Sequence, residues 1–345
     1  MKKMIKIKET IEFDDKSYQL IGILLIILII MTILIPGRFA TINNLIAMCY
    51  QFPEIGLFSI GIAITMIIGG ADLSIVSIAN LSAVISGIII IQKMPSNANS
   101  ELAIKYILIS LLTTLLIGII SGFINGYIIG YMKVFPILVT LGTQNLYFGI
   151  AVILTGGIGV YGTVPELLYF IGSGKLFNII PVPLAYFTIF FLITYILIHK
   201  TPYGIKAQLY GSNKIASYYS GIDNKKVVLK TYILSSIIGS FTGFLILART
   251  SSAKGDYGIT LVLQALLVSV LGGVSPLGGK GNLINVLLAV LSLQLIDTGF
   301  NFMRISPYVR ASTYGGMLII SIAIEYLIKK YKEKIEKRKL NKKKY

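Results

Sequence analysis

The sequence predicts an all-α polytopic membrane bundle of about ten spans, and three observations carry that prediction. Of 345 residues, 55% are hydrophobic and only 13% are charged, about half the charge of a soluble chain. Uncharged stretches such as Tyr18 to Pro36 recur down the chain, close to the length of about 20 residues that a helix needs to cross the hydrocarbon core. The basic residues also fall predominantly in alternate loops, as the positive-inside rule requires. Unbroken apolar runs exclude a spanning β-barrel, whose strands alternate apolar and polar side chains.

Taken in order, the spans read as 18–36, 45–69, 73–92, 106–131, 137–155, 183–199, 231–248, 259–274, 283–300 and 311–328. Residues 1–17 read as a basic cytoplasmic segment, 18–328 as the transmembrane domain with a polar loop at 200–230, and 329–345 as a basic cytoplasmic tail. No small-x-small cleavage site precedes Pro36-Gly37-Arg38, so the first apolar run reads as a retained helix. The second and third spans are divided by Gly69-Gly70-Ala71-Asp72-Leu73-Ser74, and the eighth and ninth by Val270 to Gly279. Glycine pairs there predict tight turns or discontinuous helices. Between the fourth and fifth spans stands Met132-Lys133-Val134-Phe135-Pro136, echoed by Met303-Arg304-Ile305-Ser306-Pro307 before the tenth, which suggests two related halves. With the N-terminus inside, an even count returns the C-terminus inside. On that reading 23 of the 31 Lys and Arg lie inside, and the outside retains Arg38, Lys93, Lys105, Lys175, Arg249, Lys254, Arg304 and Arg310. The tail from Lys329 reads as a solvated anchor, with anionic lipid or a partner protein as the other reading. Trp is absent, leaving Tyr18, Tyr50, Tyr131, Tyr195 and Tyr326 as interfacial aromatics.

The same composition narrows the chemistry. One Cys (Cys49) makes no disulfide within the chain, and one His (His199) makes no His/Cys zinc cluster. His199 beside Lys200 reads as a solvated loop residue. No run matches a P-loop, so any ATP must be hydrolysed by another chain. A net charge of +17 is accounted for by the inside loops and tail rather than by nucleic acid.

Intramembrane carboxylates are costly and therefore candidates for function. Glu54 follows Pro53 and reads as lying at a helix break, Asp72 falls in a turn, Glu325 lies near an interface, and Asp297 reads as the most embedded. A secondary carrier driven by protons needs one such group to change protonation, which makes Asp297 the pivot of a rival reading.

The loop between Lys200 and Lys230 is the informative polar piece. Ser212 or Asn213 can cap a short helix running to Ser220, and Gly221 can end it in left-handed geometry. So short a helix is marginal alone, and docking against another protein explains its presence.

These stretches resemble the permease subunits of bacterial ABC importers for simple sugars of the ribose and galactose type. Their Gly-Gly-Ile-Asp-Leu-Ser hallmark is similar to Gly69-Gly70-Ala71-Asp72-Leu73-Ser74. Further likeness lies in Asn125-Gly126 with Phe135-Pro136-Ile137-Leu138-Val139-Thr140-Leu141-Gly142-Thr143, in Gly211, Asn213, Ala216, Gly221 and Ile222, in Gly272-Gly273-Val274-Ser275 with Gly278-Gly279-Lys280-Gly281, and in Gly299-Phe300-Asn301. The resemblance covers roughly residues 60 to 310. It implies a permease of the inner membrane, paired with a second copy or a sister permease, driven by cytoplasmic ABC ATPase subunits that hold the ATP and Mg, and fed by an extracytoplasmic sugar-binding protein. It further implies that this chain is no enzyme and holds no cofactor of its own. By the resemblance, Gly211, Ser212, Asn213, Ala216, Gly221 and Ile222 form the loop that couples to the ATPase, and Asp72, Ser74, Asn125, Phe135, Thr140, Gln264, Asp297 and Asn301 are candidates for the translocation path.

The sequence departs from the family at three points. Val262-Leu263-Gln264 stands where many members carry Glu-Leu-Asp, Val76 where Gly is frequent, and Thr298 where Asn is frequent. The changed polar lining leaves an autoinducer-2-like sugar or a nucleoside open beside a pentose or hexose.

Overall fold

The computed structural model describes residues 14–95 and 98–342. The basic N-terminal residues Lys2, Lys3, Lys6 and Lys8, the last three residues of the tail, and the side chain of Glu325 lie outside the described residues. Helices dominate: α1 Asp15–Leu34, α2 Ile42–Ile67, α3 Ile75–Gly87 with a π-helical extension to Gln92, α4 Ser100–Gly130, α5 Pro136–Thr155, α6 Glu166–Ser173, α7 Val182–His199, α8 Pro202–Ser212, α9 Lys214–Tyr219, α10 Asn224–Thr250, α11 Leu261–Leu271, α12 Leu283–Phe302 and α13 Pro307–Lys342. Helices stand at all ten expected spans. Among the described residues eight of them are long and apolar enough to cross a membrane. At 11 residues α11 is too short to cross alone. The expected boundary of the basic tail at 329 falls inside α13, which runs on to Lys342.

Contacts sort the connections onto two ends. At one end, Asn285 donates to Asp14 at 3.0 Å, Leu283 N–H donates to His199 Nε2 at 3.3 Å, and Gly279 N–H donates to the carbonyl of Ile67 at 2.8 Å. At the other, Val160 pairs with Ala253 in a two-residue antiparallel ladder, and the Tyr50 hydroxyl donates to Gly174 at 3.3 Å. Below these are the Asp14 end and the Arg38 end. His199 is thus half-buried against Tyr195, with ring centroids 4.8 Å apart, rather than solvated as the sequence suggests.

The core is built on α10, which packs against α4, α3 and α2. Its seam with α4 is close: Gly118, Gly122 and Gly126 face the backbone of Ile237, Ile233 and Leu229, and a Cβ added at Gly126 would stand 2.8 Å from Leu229 Cα. In lipid, where no hydrophobic drive joins two helices, small residues every fourth position allow this approach and the dispersion it brings. Helix α2 runs unbroken through Pro53, so Glu54 does not lie at a helix break; the missing proline N–H costs one internal bond without ending the helix. The two echoed links share a backbone feature, since Lys133 (φ 59°) and Arg304 (φ 54°) both adopt left-handed geometry ahead of a proline-started helix.

Candidate functional site

The loop at the Asp14 end is built from two helices joined at Asn213. Pro202 begins α8, and the Tyr203 hydroxyl, 2.7 Å from Thr231 Oγ1, ties it to α10. Burial pushes the Tyr203 phenol up to about 12, against the opposing effect of that hydrogen bond. Asn213 Oδ1 accepts from the N–H groups of Ile215 and Ala216, both at 3.0 Å, capping α9. Ser212 ends α8 instead, its hydroxyl 3.4 Å from the Gly279 carbonyl. Gly221 takes φ +76° just past α9, the left-handed stop expected for glycine. Ser217 donates to Asn224 Oδ1 at 2.8 Å, and Asn224 donates to the Lys214 carbonyl at 2.9 Å, so α9 is clamped to the start of α10. Ile222 is buried with Ile68, Val227, Val228 and Tyr232. The remaining surface of α9 is apolar and outward-facing: Ile215, Tyr218 and Tyr219 are 71%, 69% and 83% exposed.

Gly211 lies where this loop meets the membrane helices. A Cβ on it would collide with the Ile67 carbonyl that ends α2 and stand 2.5 Å from Gly279 N in the α11–α12 link. Gly278, at φ +91°, packs its Cα against Gly69 N and the Gly211 carbonyl; a side chain there would meet both within 2.8 Å. The glycine turns at 69–70 and 278–279 and the helical Gly211 therefore interlock backbone to backbone. The end of α8 thus meets the end of α2 and the α11–α12 link backbone to backbone, with no flexible side chain between them at Gly211.

Behind this junction lies a buried polar network. Asp72 is fully buried; its Oδ1 accepts from Ser74 N–H at 3.1 Å and Ser74 Oγ at 2.6 Å, and its Oδ2 accepts from Ser235 Oγ at 2.8 Å. Asn125 donates to Ser74 Oγ at 2.9 Å, Thr143 donates to Asn125 Oδ1 at 2.8 Å, and Thr140 donates to the Ala71 carbonyl at 3.0 Å. Hydrogen bonds from three donors satisfy a carboxylate that forms no salt bridge among the described residues. The link from α2 to α3 is thereby fastened to α4, α5 and α10.

Nearer the Arg38 end a second polar group lines a cleft of about 290 Å³: Gln51, Glu54, Arg249, Gln264, Gln294, Asp297 and Asn301. Arg249 forks onto Glu54 Oε1 through Nε at 2.9 Å and through Nη2. Gln294 donates to Gln51 at 3.1 Å and to Thr298 at 3.1 Å. Asp297 accepts from the Tyr314 hydroxyl at 2.7 Å and pairs with Arg310 at 3.7 Å, and Arg310 also donates to Asn301 at 2.6 Å. Amides that both donate and accept, beside paired charges, suit a ligand rich in hydroxyls. Of the carboxylates, Asp297 is the more open, its side chain 34% exposed against 13% for Glu54; the expectation that Asp297 is the most embedded is corrected, because it stands in the last turns of α12, which ends at Phe302, whereas Asp72 is fully buried.

The eight path candidates thus occupy three places. Gln264, Asp297 and Asn301 line the cleft; Asp72, Ser74, Asn125 and Thr140 belong to the buried network; Phe135 is 76% exposed, on the rim of a cavity at the Asp14 end. Sequence reasoning missed Gln51, Gln294 and Arg249. Gln294, Asp297, Thr298 and Asn301 recur at i, i+3, i+4 and i+7, a polar stripe down one face of α12 that is readable in advance.

The family described as the permease component of the branched-chain amino acid transport system matches residues 44–322. The chain is 30% identical over 303 residues to the ribose import permease protein RbsC of Bacillus subtilis (strain 168), covering 88% of this chain and 90% of that protein. It is 28% identical over 318 residues to the D-allose transport system permease protein AlsC of Escherichia coli (strain K12), covering 92% and 94%. It is 29% identical over 307 residues to the autoinducer 2 import system permease protein LsrD of Photorhabdus temperata, covering 86% and 89%. No solved structure matches.

Proposed function

Because the chain belongs to the family of branched-chain amino acid transport system permease components, we propose that it is the membrane-spanning permease subunit of an ATP-driven importer for a monosaccharide or a similar hydroxyl-rich solute. The family is a transport component, so the chain itself is not an enzyme; nucleotide and Mg are held by a separate ATPase. Relatives named for ribose, D-allose and autoinducer 2 import support a small sugar-like solute, with an autoinducer-2-like sugar or a nucleoside as variants of the same activity. The Asp14 end is cytoplasmic in this reading and the Arg38 end faces the binding protein.

The observation that carries the proposal is α9: a capped helix with Ile215, Tyr218 and Tyr219 outward, seated through Gly211 on the ends of α2 and the α11–α12 link. ATP binding that shifts the ATPase pulls α8–α9, and the glycine junction passes the shift to the helices around the cleft. Solute delivered at the Arg38 end meets Gln51, Gln264, Gln294 and Asn301 first. Asp297, on which a proton-driven carrier turns, is held by Arg310 and Tyr314, and nothing observed favours that alternative.

Co-purification tests the proposal. Tagged full-length chain is expected to retain the candidate ATPase from detergent-solubilised membranes, and Ile215→Glu with Tyr219→Glu is expected to release it while the permease elutes unchanged. Retention of the ATPase by that variant would overturn the assignment of α9.

A further inference from the structure

A cavity of about 1130 Å³ adjoins the loop site and shares Ile215, Tyr218, Tyr219, Gly221 and Ile222 with it. It lies at the Asp14 end between the α4–α5 turn, α9 and the start of α10, with Gly69 and Gly70 in its wall. Three ammonium groups border it: Lys133, Lys214 and Lys225. None of them takes part in a salt bridge among the described residues. Lys214 stands over the Tyr210 ring at 5.5 Å and Lys225 over the Tyr131 ring at 5.3 Å. The carboxylate in the wall, Asp223, is already paired with Lys226 at 3.1 Å. Tyr232 contributes a fully buried hydroxyl with no hydrogen-bond partner. Such a cavity presents an excess of positive charge and a spare donor, the chemistry that recognises an anion.

Its neighbour identifies the kind of anion. On the outer face of α4, Phe123, Tyr127 and Tyr131 stack at 5.9 and 5.1 Å and are 50%, 45% and 37% exposed. This aromatic ladder runs along the membrane helix and ends at Lys225. Met132 (63%) and Phe135 (76%) extend the exposed apolar surface around the turn. A free phosphate ion satisfies the lysines and leaves the ladder bare. A second copy of this chain, with a net charge of +17, brings cationic surface to cationic surface.

We propose that this is a binding site for an anionic phospholipid, with the phosphate of the headgroup among Lys133, Lys214 and Lys225 and an acyl chain against the ladder. Basic pockets between membrane helices attract such headgroups through charge, and the aromatic faces supply apolar contact for the chain. Lys214 belongs to α9 and Lys133 to the α4–α5 turn, so the lipid bridges the coupling helix and the bundle. The inference rests on the membrane-spanning reading of the chain and not on the solute it carries, so its test uses binding and leaves transport aside.

The absence of Trp makes a direct test available. Full-length protein carrying Tyr127→Trp is reconstituted into phosphatidylcholine vesicles with increasing fractions of brominated phosphatidylglycerol, whose bromines quench the indole on contact. Quenching is expected to require less brominated phosphatidylglycerol than brominated phosphatidylcholine, a preference on the order of thirtyfold to a hundredfold for three lysines near one headgroup. Adding Lys133→Gln, Lys214→Gln and Lys225→Gln is expected to bring the preference to about one. Equal quenching by the two lipids, or a preference that survives the triple substitution, overturns the proposal. Binding of inorganic phosphate that needs the three lysines, with no preference for phosphatidylglycerol at the same ionic strength, assigns the lysines to a free anion and likewise overturns it; a preference that phosphate weakens no more than chloride of equal ionic strength supports the lipid. Should the triple variant not elute as the parent does, Lys225→Gln alone is read, with a fall of roughly threefold expected and an unchanged preference contradicting the site.

Discussion

Replacing Gly211 with Ala adds a single methyl group, yet the structure gives it nowhere to go. The added Cβ would stand 2.5 Å from Gly279 N and closer still to the Ile67 carbonyl. Non-bonded carbon contacts settle at about 3.5–4.0 Å, so the segments must part by at least about 1 Å. Both neighbours are backbone, so no rotamer change relieves the overlap. Parting them also breaks the Gly279 N–H bond to Ile67 at 2.8 Å. Overpacking costs about 1–3 kcal/mol and the lost bond about 1 kcal/mol, while Ala in place of Gly in a helix returns about 1 kcal/mol. The balance is a destabilisation of about 1–3 kcal/mol, concentrated at the point where the end of α8 meets α2. Gly149→Ala is the control: a Cβ there meets nothing within 4 Å, and the helix gains about 1 kcal/mol. Thermal unfolding of the purified complex is expected to show Gly211→Ala below and Gly149→Ala at or above the parent. ATPase stimulation by the loaded binding protein is expected to fall in the first variant alone. Parental stability and stimulation in Gly211→Ala would refute the interlocked junction.

Three further outcomes follow from the same contacts. Asp72→Ala removes the acceptor for three hydrogen bonds in a fully buried network, and a loss of about 3 kcal/mol is expected in chemical unfolding; parental stability with uptake abolished would instead make Asp72 a residue of the path. Arg249→Met leaves Glu54 uncompensated in a largely buried site, with an expected cost of about 3–5 kcal/mol, and adding Glu54→Gln is expected to restore much of it; a double variant no better than the single would contradict the pairing. At Asp14, burial raises the carboxyl, but hydrogen bonds from Asn285 and Ser17 outweigh it and hold the group below its ordinary value of 3.8. A carboxylate lowered on folding stabilises above its unfolded pKa and loses that contribution as pH falls through the lower folded value. Melting curves across the acid range are therefore expected to show a loss below about pH 4 that Asp14→Asn diminishes; identical acid profiles would refute the tie between α1 and α12.

Much of this was legible from local pattern. Span positions follow from uncharged length, and α9 follows from a capping Asn213 and a stopping Gly221 seven and more residues from any membrane run. The glycine pairs at 69–70 and 278–279 announce departures from helical backbone, though not that they meet each other and Gly211. Gly118, Gly122, Gly126 and Gly130 at every fourth position mark a close helix contact, though nothing in that stripe names α10 as the partner. What the sequence does not carry is the partner of a buried charge: Glu54 and Arg249 lie 195 residues apart, and no local periodicity joins them. The same limit hides the role of Asp72, whose placement in a turn is readable but whose burial depends on Ser235 from a helix far along the chain. His199 reads as exposed because its sequence neighbours are polar, whereas Leu283 and Tyr195 enclose it in three dimensions.

The central claim is that ATP hydrolysed elsewhere drives solute through this chain by way of the loop at Gly211. Uptake of labelled pentoses and hexoses into vesicles holding the chain, its candidate ATPase and the binding protein, with and without Gly211→Glu, tests it most directly. The account predicts uptake that requires ATP, survives a protonophore and is lost in the Gly211→Glu complex. Uptake that proceeds without the ATPase and collapses with the protonophore would contradict it and return Asp297 to the centre of the mechanism.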